Sequence, residues 1–239
     1  MVFPNFYDSI NKPWGKDACL FSFEDSSWGV LDNCYKKYIN NFTNKDSFIP
    51  KNIHQIWLGS DLPQESKELQ KKIIDLHPDW SYKLWTDKDL CHFGSDFENK
   101  MNKIENFGLK SDIFRYKILE AMGGVYLDCD FYCIKPFESL IKNVNFFAGV
   151  CDPGDNNLPL INNGFFGCSI NHPILKNISI ELKDNLDKAT QYHNQVEVFN
   201  STGPSFFTRQ IFTYLTNTST DKIVIFPSTF FYPINNRKR

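Results

Sequence analysis

Leu69, Ile73 and Leu76 recur at helical spacing inside an otherwise charged stretch, which predicts a helix over residues 64–76. Ile174, Ile178 and Leu182 do the same and predict a helix over 173–186, with a further one over 208–215 after the Gly203-Pro204 turn. A short helix fits Leu31 to Ile39, and the polar stretch Asp87 to Gly108 reads as helical in part. Strand patterns alternate with these helices. Ile53 to Leu58 forms a compact apolar run stopped at Gly59, Ser81 to Trp85 alternates, and short apolar runs occupy 146–150, 164–169 and 223–226. Helices and strands that alternate in this way define an α/β protein.

The densest pattern is SDIFRYKILEAMGGVYLDCD, from Ser111 to Asp130. Phe114, Ile118 and Met122, four apart, predict a core-facing stripe. Ser111 suits an N-cap, and Gly123-Gly124 suits a left-handed C-terminal stop. Asp112 and Arg115, three apart, share one face of that helix. Val125-Tyr126-Leu127 then opens a strand. Were it to continue, Asp128 and Asp130 would project side by side and Cys129 would face away. Adjacent carboxylates repel, so such a pair implies a cation between them or a shared proton. Oxygen-only ligands select Mn²⁺ or Mg²⁺ over zinc or copper, and leave most of an octahedral shell to water and phosphate oxygens. A metal-bridged nucleoside diphosphate is the chemistry this implies.

With its preceding helix and glycine pair, the segment resembles the core of the D-x-D sugar transferases of glycosyltransferase family 32 and is similar to the clostridial toxin glucosyltransferases. Ile49 to Gly59 (IPKNIHQIWLG) resembles the family's opening strand, and His77-Pro78-Asp79-Trp80 with Tyr82 to Trp85 resembles its next block. Asn162-Asn163-Gly164, Thr202-Gly203-Pro204 and Phe231-Tyr232-Pro233 are looser matches in the family's order. The resemblance implies a GT-A fold with a mixed sheet flanked by helices. It implies transfer, with retention, of a hexose or N-acetylhexosamine from a nucleotide sugar, preferably a UDP-sugar, to a glycan or other hydroxyl acceptor. It further implies that Asp130 is the firmer metal ligand and Asp128 the partner to the metal shell, ribose or sugar. Asp112, Arg115 and Asn163 would contact the donor sugar, Arg115 would add positive charge, and Trp57 would stack on the base. Relatives continue past the Phe-Tyr-Pro block into a closing segment. Six residues follow Pro233 here, so the resemblance implies an ion held by Asp128, Asp130, diphosphate oxygens and water.

Composition narrows the classes. Hydrophobic residues make up 41% and aromatics 16%, which is globular, and 239 residues suffice for a substantial core. A formal charge of −2 gives no electrostatic basis for binding nucleic acid. Asn5, Asp8 and Asn11 interrupt any apolar run near Met1, and Phe146 to Val150 falls far short of the ~20 residues that span a bilayer, so a soluble cytoplasmic protein is expected. Seven cysteines without a C-x-x-C pair read as reduced thiols; on one strand Cys129 and Cys133 would lie about 13 Å apart, too far to bridge. Four N-x-S/T sequons, at Asn41, Asn177, Asn200 and Asn217, are chance products on that reading. Residues 1–47 are expected to form an N-terminal extension packed on a main domain of 48–239.

Structural alternatives exist for each candidate. Trp57 could be a core residue, Asp112 and Arg115 a surface pair, and Asn163 simply a turn residue. His54 reads as an interior hydrogen-bonded histidine, and the other four histidines show no paired ligand spacing. A haloacid-dehalogenase-type phosphatase also uses D-x-D, but near its domain start and followed by Thr or Val, unlike Phe131-Tyr132 at mid-chain. A non-catalytic sugar-nucleotide or glycan binder is the remaining alternative.

Overall fold

The computed structural model describes residues 27–43, 47–153, 158–189, 194–217 and 222–232, the side chains of 152–153, 184–189 and 217 excepted. Thus 1–26, which carry Phe3, Phe6, Tyr7, Trp14, Phe21 and Phe23, lie outside the described residues, as do His193 and the Arg237-Lys238-Arg239 tail. In chain order the elements are α1 (Ser27–Asn40), β1 (Asn52–Ile56), α2 (Gln64–Leu76), β2 (Ser81–Trp85), α3 (Ser95–Asn102), α4 (Phe107–Met122), β3 (Gly124–Leu127), β4 (Phe146–Pro153), β5 (Pro159–Cys168), α5 (Pro173–Ala189), α6 (Gln195–Ser201), α7 (Pro204–Asn217), β6 (Ile223–Phe226) and α8 (Ser228–Phe231). Short 3-10 stretches occupy Asp87–Phe93 and Glu138–Ile141.

One six-stranded sheet runs in the order β2-β1-β3-β5-β4-β6. β1, β2 and β3 pair in parallel, β5 is antiparallel to β3 and β4, and β4 pairs parallel with β6. Five strands therefore point one way and β5 alone opposes them. The carboxyl ends of β1, β2 and β3 meet the start of β5 at one end of the sheet.

Strand alternation separates two cores. Tyr126, Phe146, Ala148 and Ile225 join Phe114, Ile118, Ile174, Phe207 and Ile211 on the face covered by α4, α5 and α7. Val125, Leu127, Phe147, Val224 and Phe226 join Ile73, Phe137 and Tyr232 on the other face. Each fully buried side chain of this size contributes roughly 1.5–3 kcal/mol. Helix α1 contributes Leu31 and Cys34 to one core and Tyr35 to the other, and its Tyr38 ring meets Phe226 at 5.4 Å. It therefore closes the β6 edge of the sheet.

Several expectations need correction. α4 begins at Phe107, capped by the Asn106 side chain accepting from the Leu109 N–H, so Ser111 is interior and not the N-cap. Phe114 and Ile118 are buried, but Met122 is 40% exposed because the helix ends there and turns outward. β3 stops at Leu127, so Cys129 and Cys133 do not share a strand; both are free thiols. β5 is longer than read from sequence and carries Asn163 within it. Helices α6 and α8 carry too few apolar residues for periodicity to reveal.

Candidate active site

Two glycines route the chain into the site. Gly123 (φ 60°) and Gly124 (φ 101°) turn α4 directly into β3, and a Cβ at Gly124 would stand 2.5 Å from the Asn52 carbonyl oxygen of β1. Only glycine permits both the left-handed backbone and that approach. β3 is thereby pressed against β1, and Tyr126 faces α4.

Asp128 follows β3 two residues after Tyr126, on the same side, and meets Arg115 of α4. Its Oδ1 accepts from the Tyr126 hydroxyl at 2.7 Å and lies 3.3 Å from Arg115 Nη1. Its backbone N–H donates to the Gly164 carbonyl at 2.8 Å. A Cβ at Gly164 would fall 2.5 Å from Asp128 Oδ2, so the carboxylate lies directly over the β5 backbone. The side chain keeps 38% of its surface accessible, and Asp130 is exposed in the turn beyond. The two carboxylates therefore lie on a turn after the strand, not side by side along it. Cys129, buried between them, donates its thiol to the Ile56 carbonyl at 3.4 Å and anchors that turn to β1.

Arg115 is a buried hub. Its Nη1 donates to the Asn163 carbonyl (2.9 Å), its Nη2 to Ser111 Oγ (3.1 Å), and Nη2 lies 3.3 Å from Asp112 Oδ1. The guanidinium stacks on the Tyr126 ring at 4.5 Å. Burial opposes its charge, yet Tyr126, Asp128 and Asp112 together hold its pKa above the ordinary arginine value. Burial pushes the Asp112 and Asp128 carboxyls up, against the pull of Arg115, and Asp130 pushes Asp128 the same way as burial.

Asp112 is 6% exposed, and protein donors occupy both its oxygens: Asn163 Nδ2 at 2.9 Å on Oδ1 and Thr202 Oγ1 at 3.0 Å on Oδ2. Asn163 Nδ2 also donates to Tyr116 Oη (2.9 Å), and Tyr116 donates to the Thr202 carbonyl (2.7 Å). The sequence placed Asn163 in a turn. Instead β5 bulges: Ala148 pairs with Phe166 but the next residue, Gly149, pairs with Asn162. Such bulges re-aim side chains, and here Asn163 meets α4.

Trp57 follows β1 at the same sheet end. It is half-buried, its backbone N–H donates to the Trp85 carbonyl (2.9 Å), and its indole donates to Ser60 Oγ (3.1 Å). The neighbouring Gly59 N–H donates to Asp87 Oδ2 (2.7 Å), whose other oxygen takes Lys110 Nζ (3.0 Å). His54 is interior, as expected: Trp85 Nε1 donates to its Nδ1 (3.1 Å) and its Nε2 donates to the Gly123 carbonyl (3.0 Å). His77 and His172 are buried and structural, and His92 is exposed.

Sequence reasoning missed the supports. Tyr126 was legible from strand period, since residues two apart share a face. Thr202 carried only its place in the Thr-Gly-Pro block. No signal pointed to the relay in which Gln70 donates to Tyr82 (2.8 Å), Tyr82 to Gln55 (2.7 Å) and Gln55 to the Asp128 carbonyl (3.2 Å).

As a cation site the donor set fits. Asp128 and Asp130 are accessible carboxylates, and the described residues hold no group of three or more His, Cys, Asp or Glu placed to bind a metal. Three carboxylates against one guanidinium leave a formal excess of two negative charges. No helix among the described residues is long and apolar enough to cross a membrane.

Residues 63–147 match the family model described as the glycosyltransferase sugar-binding region containing DXD motif. Over 182 residues the chain is 32% identical to inositol phosphoceramide mannosyltransferase 3 of Schizosaccharomyces pombe, covering 74% of this chain and 48% of that protein. It thus spans about half the length of the yeast relatives it matches. Among solved structures it is similar to the PaToxG glycosyltransferase (TM-score 0.54, 17% identity, 80% of this chain and 79% of that one). It is also similar to the UDP-bound glycosyltransferase domain of the YGT toxin (TM-score 0.52, 11% identity, 76% and 80%). At these identities the toxins share the fold, a mixed six-stranded sheet flanked by helices, as expected for GT-A.

Proposed function

We propose that this chain, whose residues 63–147 match the sugar-binding region of the DXD-motif glycosyltransferases, transfers a hexose from a nucleoside-diphosphate sugar to a hydroxyl acceptor, with retention. The observation that carries the reading is the Asp128 carboxylate: one oxygen is fixed by Tyr126 and Arg115, yet the side chain keeps 38% of its surface accessible, two residues from exposed Asp130. A fixed, half-committed carboxylate beside a solvent-facing one suits a divalent ion that must also accept diphosphate oxygens. Asp128 and Asp130 would hold Mn²⁺ or Mg²⁺. Such an ion supplies Lewis-acid neutralisation of the diphosphate leaving group. Trp57, at the end of the adjacent strand, offers a face for the nucleotide base. Arg115 and Asp112 form the buried floor for the donor sugar. Asp112 Oδ2 takes one donor in this structure, so a sugar hydroxyl can donate to its second lone pair.

Similarity to mannosyltransferases favours mannose as the sugar, and the UDP-bound neighbour supports UDP as a carrier to test beside GDP. The test is turnover of a panel of UDP- and GDP-hexoses with Mn²⁺, with and without EDTA. We expect one donor to be consumed, and EDTA and Asp130→Ala each to abolish turnover while the variant stays folded. Tight donor binding without any turnover would instead assign the chain as a binding protein.

A further inference from the structure

The most remote contact of the buried cluster is Thr202. It lies in the α6–α7 junction, outside the 63–147 match, and its residue is wholly buried. Its hydroxyl donates to Asp112 Oδ2 at 3.0 Å, with the Val198 carbonyl as a second acceptor at 3.3 Å. A hydroxyl has one proton, and a charged acceptor at the shorter distance makes the stronger bond. Its backbone is held too, since the Tyr116 hydroxyl donates to the Thr202 carbonyl and Tyr116 accepts from the Asn163 amide that also donates to Asp112. Val198 accepts from both the Thr202 and Gly203 N–H groups, which fixes the end of α6. Four residues from three separate segments therefore close a loop around one carboxylate.

We infer that Thr202 is a positioning residue for the donor site: it sets the rotation of the Asp112 carboxylate, and through Asp112 the attitude of Arg115 towards Asp128. The reasoning is one of competing partners. Arg115 stands 3.3 Å from both Asp112 Oδ1 and Asp128 Oδ1, a balanced bridge between two carboxylates. A carboxylate that loses the donor on one oxygen, in a nearly closed environment, gains by turning towards the remaining positive charge. Without the Thr202 hydroxyl, Asp112 would draw Arg115 to itself, and Asp128 would lose the partner that holds its Oδ1. The sugar subsite would deform while Trp57, just beyond β1, kept its place.

This inference rests on the reading that Asp112 and Arg115 form the floor under the donor sugar, and the test separates the two. Thr202→Val keeps the shape and removes the donor; Thr202→Ser keeps the donor and removes a methyl. With the donor that the wild type turns over, Thr202→Val is expected to lower kcat by 10- to 100-fold while the Kd of the bare nucleoside diphosphate without metal changes less than 3-fold. Thr202→Ser is expected to remain within 3-fold of wild type in both. In an Asp112→Asn background, Thr202→Val should add less than 3-fold, because its effect passes through that carboxylate. If Thr202→Val does not fold, Thr202→Ala carries the same comparison. Unchanged kcat in a folded donor-less variant, equal losses for Val and Ser, or full additivity with Asp112→Asn would each overturn the positioning role. Failure of the wild type itself to turn over any sugar nucleotide would overturn the functional reading instead.

Discussion

The Asp128 carboxylate depends on a residue with no side chain. With Asp128 Oδ2 2.5 Å from where a Gly164 Cβ would stand, Gly164→Ala must shift either the carboxylate or the β5 backbone. The backbone is held by the hydrogen bond from the Asp128 N–H, so the carboxylate is expected to move. We expect turnover to fall at least tenfold with a stability loss of about 1–2 kcal/mol, within the usual overpacking range, measured by turnover and urea denaturation of the same preparation. Wild-type turnover in Gly164→Ala would show that the Asp128 orientation is unimportant. At Trp57 the opposite change is informative: Trp57→Ala should weaken UDP binding by about 1–3 kcal/mol, the range for base–aromatic stacking. A stable variant with unaltered UDP affinity would assign Trp57 to the fold alone. The sequence showed the charged residues themselves, because D-x-D and the Asp112/Arg115 spacing are local. It did not show that Asp112 spends both oxygens on Asn163 and Thr202, which arrive from 51 and 90 residues away. Contacts of that range have no local signature.

Among the elements, the strands and helices with strong periodicity were read well; the α2, β2 and β6 spans agree with the expected ranges. β5 was not, because a bulge breaks period two where Asn162-Asn163-Gly164 mimics a turn. Two buried histidines make the packing of these elements sensitive to pH. His54 ties β1 to β2 and to the α4–β3 turn, and His172 accepts from the Ile174 N–H at the start of α5. Burial lowers the pKa of each to about 4. Unfolded histidines titrate near 6.5, so between these values the unfolded chain binds more protons, and stability falls as pH falls. The slope is roughly 1.4 kcal/mol per pH unit for each histidine, or at most about 4 kcal/mol for the pair from pH 6.5 to 5. Asp112 and Asp128, with raised pKa, act in the opposite sense towards the acid end. A comparison of wild type with His172→Asn cancels that term, and asparagine can keep the acceptor for the Ile174 N–H. Urea midpoints at pH 7 and pH 5 should therefore differ markedly less in His172→Asn. Equal differences would show that His172 is not held neutral.

For the molecule as a whole, the sheet gathers its chemistry at one end, where β1, β2 and β3 finish and β5 begins, and this is where open α/β sheets bind ligands. Among the described residues that end offers no third His, Cys, Asp or Glu ligand beside the pair Asp128 and Asp130, and Asp128 has already committed Oδ1 to Tyr126 and Arg115. Mn²⁺ prefers about six ligands, so on its own it would keep most of its water and bind weakly. A diphosphate supplies two or more oxygens at once and is itself drawn to the ion. Each ligand should therefore raise the affinity of the other, and thermodynamic linkage requires the two factors to be equal. Calorimetry can measure both arms, Mn²⁺ titrated with and without UDP, and UDP titrated with and without Mn²⁺. We expect at least a tenfold strengthening in each arm, about 1.4 kcal/mol of coupling. Asp130→Ala should abolish the coupling and leave metal-free UDP binding nearly intact, since Trp57 stands on a different segment, after β1. Equally tight Mn²⁺ binding with and without nucleotide would show that a further protein ligand completes the shell, and the two-carboxylate site would have to be redrawn.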